Sequence, residues 1–179
     1  MTRLARIPFA AEALLVLVVI AAFFAFPYNL AFVTRILIMV LFVLSIDLVL
    51  GFAGIATLGQ AAMYGTGAYA AGLFAVHVTA APLPGLVVGM VAGAILAVVS
   101  GLVLMRTKGL TLIMLTIAVA QICHEIANKA RDVTGGADGL RGIRMEPVLG
   151  LFEFDFIGRT AYWYVAVVVF VVFLALRRL

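Results

Sequence analysis

The stretch PGLVVGMVAGAILAVVSGLVLM, from Pro84 to Met105, contains no charged residue and decides the class of fold. A bilayer core of about 30 Å is crossed by roughly 20 helical residues, so this stretch is long enough to span a membrane. The whole 179-residue chain has the same character, because 66% of its residues are hydrophobic and only 11% are charged. A soluble domain carries roughly 25% charged residues. The composition therefore excludes a water-soluble globular fold.

Charges, glycines and prolines divide the chain into about six apolar segments, each a candidate transmembrane helix. The segments cover residues 10–27, 31–50, 57–78, 84–105, 109–127 and 161–176. A signal peptide is the alternative interpretation of the first segment, although no clear small-residue cleavage site follows it. The predicted fold is an all-α, polytopic transmembrane helix bundle, with residues 1–179 forming a single transmembrane domain.

Basic residues in the short connections predict the orientation, since cytoplasmic loops carry the excess of Lys and Arg. Basic residues precede the first segment. Arg106 and Lys108 lie between the fourth and the fifth segment, and Arg177 and Arg178 lie just after the sixth. Both termini are therefore predicted to be cytoplasmic, and the polar stretch 128–160 to be external. Because the basic residues lie between apolar runs, nucleic acid is not expected as a partner.

Sequence patterns for catalysis and metal binding are missing. Cys123 is the single cysteine, which excludes a disulfide within the chain and a cysteine-based zinc site. The two serines, Ser45 and Ser100, do not lie in a Gly-x-Ser-x-Gly pattern, and no Walker A or His-Glu-x-x-His pattern occurs. The sequence predicts neither enzymatic activity nor a cofactor or metal ion bound by this chain.

The third segment is unusually dense in glycine. Glycine weakens a helix but permits close contact between backbones. Irregular backbone at membrane depth persists only where protein or water, rather than lipid, surrounds it. Both a straight span and a broken or re-entrant helix buried in protein fit this pattern. The glycines are Gly51, Gly54, Gly59, Gly65, Gly67 and Gly72.

The fourth segment carries a row of small residues at every fourth position. Such a row lets another helix approach closely and pack by van der Waals contact in lipid. Packing within this chain is the favoured interpretation, and a subunit interface is the alternative. The row consists of Gly85, Gly89, Gly93, Ala97 and Gly101.

One face of the fifth segment is polar for two helical turns. Its residues are Gln121, His124, Glu125 and Asn128, at positions i, i+3, i+4 and i+7. Lipid does not solvate such a face, so it should point into the bundle, a cavity or the external water. Two interpretations remain open: the residues cap the helix end and bond the following loop, or they line the outer entrance of a pathway.

Asp47 is an acidic residue enclosed by a long apolar run near the inner end of the second segment. An ionised carboxylate there is costly unless it is paired or hydrated. Pairing with Arg106 or Lys108, or a position at the membrane interface, is favoured over a role in proton coupling.

Three blocks of sequence follow one another in an order that characterises a known family. They are LGFAGIATLGQAAMYGTGAYAA at residues 50–71, RTKGLTLIMLTIAVAQ at 106–121 and TGGADGL at 134–140. In this order they resemble the permeases of bacterial branched-chain amino acid ABC transporters, specifically the LivM-type subunit. The resemblance covers the chain from about residue 30. Members of that family continue past a basic doublet like Arg177–Arg178 into a loop that docks on the ATPase, so the chain resembles the N-terminal part of such a permease.

The resemblance implies an inner-membrane subunit that pairs with a second, related permease. It also implies two cytoplasmic ATP-binding subunits, which hydrolyse the ATP, and a periplasmic substrate-binding protein. The transported solute would be a branched-chain amino acid or a related small polar solute. An ion-coupled secondary transporter that uses Asp47 or Glu125 is the first alternative. A non-transporting, truncated membrane scaffold is the second.

The residues expected to line or gate a translocation path come from the Gly-rich block, the polar face and the external Thr-Gly-Gly loop. They are Gly51, Gly54, Gly59, Gln60, Gly65, Gly67, Tyr69, Gln121, His124, Glu125, Thr134, Gly135, Gly136 and Asp138.

Overall fold

The structure is a computed structural model that describes residues 9–54, 57–104, 106–143, 146–147, 155 and 158–178. Over these ranges it contains seven α-helices and no strand, which confirms the all-α prediction. The helices are α1 (Phe9–Ala25), α2 (Leu30–Leu48), α3 (Gln60–His77), α4 (Pro82–Leu104), α5 (Leu110–Lys129), α6 (Arg131–Thr134) and α7 (Arg159–Arg178). A π-helical turn, Val49–Ala53, follows α2, and a 3-10 turn, Gly136–Asp138, follows α6.

Each of the six predicted segments overlaps one long helix of the structure. Four helical stretches are long and apolar enough to cross a membrane, namely Leu30–Phe52, Pro82–Leu104, Leu110–Lys129 and Arg159–Leu176. Among the described residues, α1 contributes a shorter apolar helical stretch than these four, Val16–Ala25. Helix α3 has 18 residues but is not among the four, because its glycines, tyrosines and terminal Gln60 and His77 dilute its apolar character.

The Gly-rich block is broken before α3 begins. The π-helical turn ends at Gly54, which adopts the left-handed conformation with φ +62°, and Gln60 is the first residue of α3. A residue other than glycine rarely adopts that φ, so Gly54 allows the chain to leave the helix here. The predicted third span, 57–78, therefore starts three residues too early. The irregular backbone at Gly54 precedes the predicted span, and α3 itself is continuous from Gln60 to His77.

Residues 44–152 form one compact unit, in which α3 packs most extensively against α4. A Cβ added at Gly67 would lie 2.9 Å from the carbonyl oxygen of Gly89, and one added at Gly89 would lie 3.0 Å from that of Gly67. A Cβ at Gly93 would lie 3.3 Å from the Met63 carbonyl oxygen. The middle of the small-residue row is therefore used for packing within the chain, as the favoured interpretation predicts.

Residues 1–43 and 153–179 form the other compact unit, and its core surrounds Tyr162 of α7. The Tyr162 side chain is fully buried, and its hydroxyl donates a hydrogen bond to the carbonyl oxygen of Val19 at 2.6 Å. Leu30 and Val33 of α2 share this core, and the Phe23 ring of α1 lies 5.8 Å from the Tyr162 ring. Burying a tyrosine with its hydroxyl satisfied combines a large apolar area with no unpaired polar group.

Candidate functional site

The broken segment before α3 is bound to the side of α5 by a buried threonine. Thr116 is 1% exposed, and its hydroxyl accepts a hydrogen bond from the Leu58 backbone N–H at 3.3 Å. The same hydroxyl donates to the carbonyl oxygen of Ile113 at 2.7 Å. Thr116 lies about 9 Å along α5 from its first residue, at 1.5 Å per residue. Leu58 therefore lies beside the body of α5, a helix long enough to span the membrane, and not beyond the end of that helix.

Local hydrogen bonds explain why helix α3 does not start earlier. The Gly59 backbone N–H bonds the Thr57 hydroxyl at 3.0 Å, and the Leu58 N–H is taken by Thr116. A Cβ added at Gly59 would lie 3.3 Å from the Thr57 hydroxyl oxygen and 3.6 Å from the Thr116 Cβ. Side-chain hydroxyls thus replace water as partners for backbone groups that the helix leaves unsatisfied. The sequence patterns did not single out Thr116, although a hydroxyl within an apolar span was an available signal.

The Gly-rich candidate residues have different surroundings. Around Gly51, Gly54 and Gly65, no described heavy atom lies within 4 Å of the point that a Cβ would occupy, so these residues border open space. Gly67 instead packs against the backbone of α4. Gln60 and Tyr69 are both partly exposed on α3. The block is thus divided between helix packing and open surface.

The polar face of α5 is open. Gln121, His124 and Glu125 are exposed, and Asn128 is partly buried with its amide nitrogen 3.3 Å from His124 Nδ1. In the described part of the chain, no side-chain hydrogen bond joins these four residues to the following loop. Both interpretations of this face, a helix cap and the entrance of a pathway, stay predictions. A shallow groove of about 500 Å³ follows this side of the helix and includes Gln121 and Glu125 but not His124.

The end of α5 is instead capped by Thr134. Its buried hydroxyl lies within hydrogen-bonding distance of the carbonyl oxygens of Ala127 and Ala130, the latter at 2.8 Å. It also accepts a bond from the Gly136 N–H at 3.3 Å. Carbonyl groups at a helix end have no partner within the helix, and this hydroxyl supplies one. The Thr134 side chain therefore caps the end of α5.

The backbone conformation of the Thr-Gly-Gly loop requires glycine at positions 135 and 136. Gly135 has φ +78°, and a Cβ there would lie 2.1 Å from the carbonyl oxygen of Gly139. Gly136 has φ +62°, and a Cβ there would lie 2.8 Å from Cγ of Arg131. Asp138 is exposed, and its carboxylate pairs with Arg141 at 3.2 Å.

The same loop rests on the far end of α3. Leu140 Cδ1 would lie 3.1 Å, and Ile143 Cδ1 3.5 Å, from a Cβ at the buried Gly72. The Glu146 N–H bonds the carbonyl oxygen of Ala80, just beyond α3, at 3.0 Å. The loop therefore joins the C-terminal ends of α3 and α5, while Thr116 joins the start of α3 to the side of α5.

Asp47 is exposed on α2 and makes no ion pair within 4.0 Å with Arg106 or Lys108. The structure therefore shows no pairing with these two residues, and the interfacial position and the role in proton coupling stay predictions. Over the ranges that the structure describes, no cluster of three His, Cys, Asp or Glu residues could hold a metal ion.

Comparison with known proteins gives one family. The profile of the family described as "branched-chain amino acid transport system / permease component" matches residues 28–178, from just before α2 to the end of α7. No curated protein matches the chain, and no solved structure matches it.

Proposed function

Because the chain belongs to this family of branched-chain amino acid transport permease components, we propose that it is a transmembrane subunit of an ABC importer. It forms part of the path for branched-chain amino acids or related small polar solutes across the bacterial inner membrane. The observation that carries this proposal is the open polar face of α5, formed by Gln121, His124 and Glu125 on a helix long enough to span the bilayer. Polar and ionisable side chains on a membrane-spanning helix are characteristic of substrate pathways.

The proposal includes partners and a topology. Cytoplasmic ATP-binding subunits hydrolyse ATP, a periplasmic binding protein delivers the solute, and a second permease completes the path. The chain acts as one permease domain without catalysis of its own, with both termini in the cytoplasm. The basic connection at Arg106 and Lys108 supports this orientation.

Transport requires two arrangements of the helices, each favoured at a different stage of ATP hydrolysis. Two positions before α3 support such a change, because a Cβ added at Gly54 would meet no heavy atom within 4 Å and Leu58 is bonded by the Thr116 hydroxyl. One hydrogen bond is worth only about 0.5–1.5 kcal/mol, so the segment can exchange partners at modest cost.

The test is solute uptake by the complete complex carrying the double variant Gln121→Leu with His124→Leu. We expect uptake that depends on ATP and on the binding protein, and a loss of at least about tenfold in the variant. Met114→Leu is the matched control, since Met114 is an exposed apolar residue of the same helix. Unchanged uptake in the double variant would remove the α5 face from the path. Uptake that collapses with a proton uncoupler and ignores ATPase mutations would favour the ion-coupled alternative.

A further inference from the structure

Helices α3 and α4 form an antiparallel hairpin whose two arms touch through their backbones. Gly67 lies against Gly89, and Met63, one turn earlier in α3, lies against Gly93. A shift of α3 by one turn would bring the Cβ of Met63 or Ala71 to the place that Gly67 leaves empty. A Cβ at that place would lie 2.9 Å from the Gly89 carbonyl oxygen. The two arms therefore fit together in one register.

The connection between the arms opposes the same shift. It consists of residues 78–81, and hydrogen bonds join it to both helices. The Val78 N–H bonds the carbonyl oxygen of Phe74 in α3 at 2.9 Å, and the Gly85 N–H of α4 bonds that of Ala81 at 3.3 Å. A shift by one turn, about 5.4 Å, would break these bonds. The α3–α4 hairpin, residues 60–104, is therefore one rigid body.

A glycine with a positive φ lies on each side of this rigid body. Gly54, before α3, has φ +62°, and Gly109, after α4, has φ +63° with ψ −136°. Residues with a Cβ rarely adopt such conformations. Around both glycines, no described heavy atom lies within 4 Å of the point that a Cβ would occupy, so neighbouring atoms do not fix either backbone position. Hinges are short segments at the ends of elements that absorb changes in φ and ψ, and both glycines meet that description.

The turn from α4 to α5 divides just before Gly109. Thr107 belongs to α4, because its N–H and its hydroxyl both bond the carbonyl oxygen of Leu104, at 3.0 and 2.9 Å. Gly109 belongs to α5, because its carbonyl oxygen accepts a bond from the Leu112 N–H at 3.2 Å. Only Lys108 lies between them. A change in φ at Gly109 therefore rotates the hairpin against α5 and leaves these hydrogen bonds intact.

The contacts between the hairpin and its neighbours can separate at modest cost. Leu58, two residues before the hairpin, donates its N–H to the Thr116 hydroxyl at 3.3 Å. When that bond is lost, Thr116 keeps its bond to the Ile113 carbonyl oxygen at 2.7 Å, so its buried hydroxyl is not left unsatisfied. At the far end of α3, the Leu140 side chain meets Gly72 through a terminal methyl group, which can move by a change of rotamer.

We propose that the α3–α4 hairpin rotates as one body about Gly54 and Gly109, and that Thr116 of α5 is the positioning residue that holds it in one of two positions. The structure shows the position in which Thr116 bonds Leu58. In the other position this bond is open. The inference rests on the proposed function and deepens it, because it identifies the helices that move when the transporter changes between its two arrangements.

Two reversible disulfides in the complete complex test the proposal, both in a Cys123→Ser background. Gly59→Cys with Thr116→Cys joins the base of the hairpin to α5, since a Cβ at Gly59 would lie 3.6 Å from the Thr116 Cβ. Ala71→Cys with Gly89→Cys joins the two arms, since a Cβ at Gly89 would lie 3.4 Å from the Ala71 Cβ. Both distances are close to those in disulfides, about 3.5–4.5 Å.

The two disulfides should have opposite effects on uptake. We expect oxidation of the base pair, at positions 59 and 116, to reduce solute uptake at least about tenfold, and reduction to restore it. Oxidation of the arm pair, at positions 71 and 89, is the matched control and should leave uptake within about twofold. Mass spectrometry of the same samples measures how much of each disulfide has formed. Uptake that persists with the base disulfide formed, or is lost equally with the arm disulfide, would overturn the proposal.

The rate of disulfide formation gives a second measurement, which does not depend on transport by the variants. We expect the base pair to oxidise at rates that differ at least about fivefold between the resting complex and the complex arrested with ATP and orthovanadate. The arm pair should oxidise at the same rate in both states. Equal rates for the base pair in the two states would contradict a rotation of the hairpin.

Alanine at Gly109 tests the hinge in the background of the base pair. An alanine is strained at φ +63°, so Gly109→Ala should restrict rotation there and abolish the difference in oxidation rate between the two states. Gly101→Ala is the matched control, because Gly101 lies within α4 and a Cβ there also meets open space. A difference in rate that survives in Gly109→Ala would remove Gly109 as a hinge and overturn the proposal.

The failure of this proposal is distinguishable from failure of the proposed function. Uptake by the unmodified chain that requires neither ATP nor the binding protein would contradict the function. Uptake that requires both, and that the base disulfide does not reduce, would overturn the rotating hairpin and leave the transport function intact.

Discussion

Around Tyr162, in the unit formed by residues 1–43 and 153–179, large side chains fill the interior. In the unit formed by residues 44–152, α3 and α4 pack so closely at Gly67 and Gly89 that a Cβ added at either would lie 2.9–3.0 Å from the other's carbonyl oxygen. The first kind of packing loses stability when atoms are removed, because a cavity remains. The second loses stability when atoms are added, because no side chain can move aside. The two units should therefore respond to opposite kinds of substitution.

The largest expected effect is in the first unit. Tyr162→Ala removes a fully buried ring and should lower the free energy of unfolding by about 3–5 kcal/mol. Tyr162→Phe, the matched control, loses only the bond to Val19 and should cost about 1 kcal/mol. The measurement is thermal unfolding in detergent. Equal costs for the two variants would show that the hydroxyl, rather than the ring, stabilises this core.

An intermediate effect is expected where α3 crosses α4. Gly67→Ala places a Cβ 2.9 Å from the Gly89 carbonyl oxygen and should cost about 1–3 kcal/mol. Gly65→Ala, two residues earlier on the same helix, meets open space and should be neutral or slightly stabilising. Thermal unfolding of both variants, measured side by side, separates overpacking from helix propensity. A Gly67→Ala variant as stable as Gly65→Ala would mean that these helices do not touch.

The smallest effect concerns the threonine that binds the break before α3. Thr116→Val keeps the shape of the side chain and removes the acceptor for the Leu58 N–H, which should cost about 1 kcal/mol. Hydrogen exchange at Leu58 should speed up, while exchange in α4 should be unchanged. Thr116→Ser, which keeps the hydroxyl, is the control. If Leu58 exchanges equally fast in the protein and in Thr116→Val, the bond does not hold this segment.

The helices could be predicted because length and apolar character alone specify them. The fourth segment, predicted at 84–105, is Pro82–Leu104, and the fifth, predicted at 109–127, is Leu110–Lys129. The start of α3 could not be placed, because its position depends on Thr116, which lies 58 residues away from Leu58 in the sequence. The bond from Tyr162 to Val19 joins residues 143 apart and left no local signal.

The candidate site could be predicted only in part. The polar face of α5 follows from helical spacing, and the structure leaves it open. Thr134 and Gly67 are expected in the path because they belong to the Thr-Gly-Gly loop and the Gly-rich block. In the structure, the Thr134 hydroxyl caps a helix end and Gly67 packs against α4. A sequence block identifies such residues without indicating the direction in which a hydroxyl points or the helix that approaches a glycine. Their direct role in a path therefore remains a prediction that their contacts do not favour.

The attachment of α3 to α5 at two separate places has a thermodynamic consequence. Thr116 bonds the chain just before α3, and the Thr-Gly-Gly loop packs Leu140 against Gly72 farther along the helix. Displacement of α3 along α5 must therefore alter both contacts, so their free energies are linked. A protein that binds the loop more tightly when α3 is in one position would stabilise that position. It would therefore also favour the Thr116 contact that goes with it. By reciprocity, a change at the break would alter the affinity of the loop by the same factor.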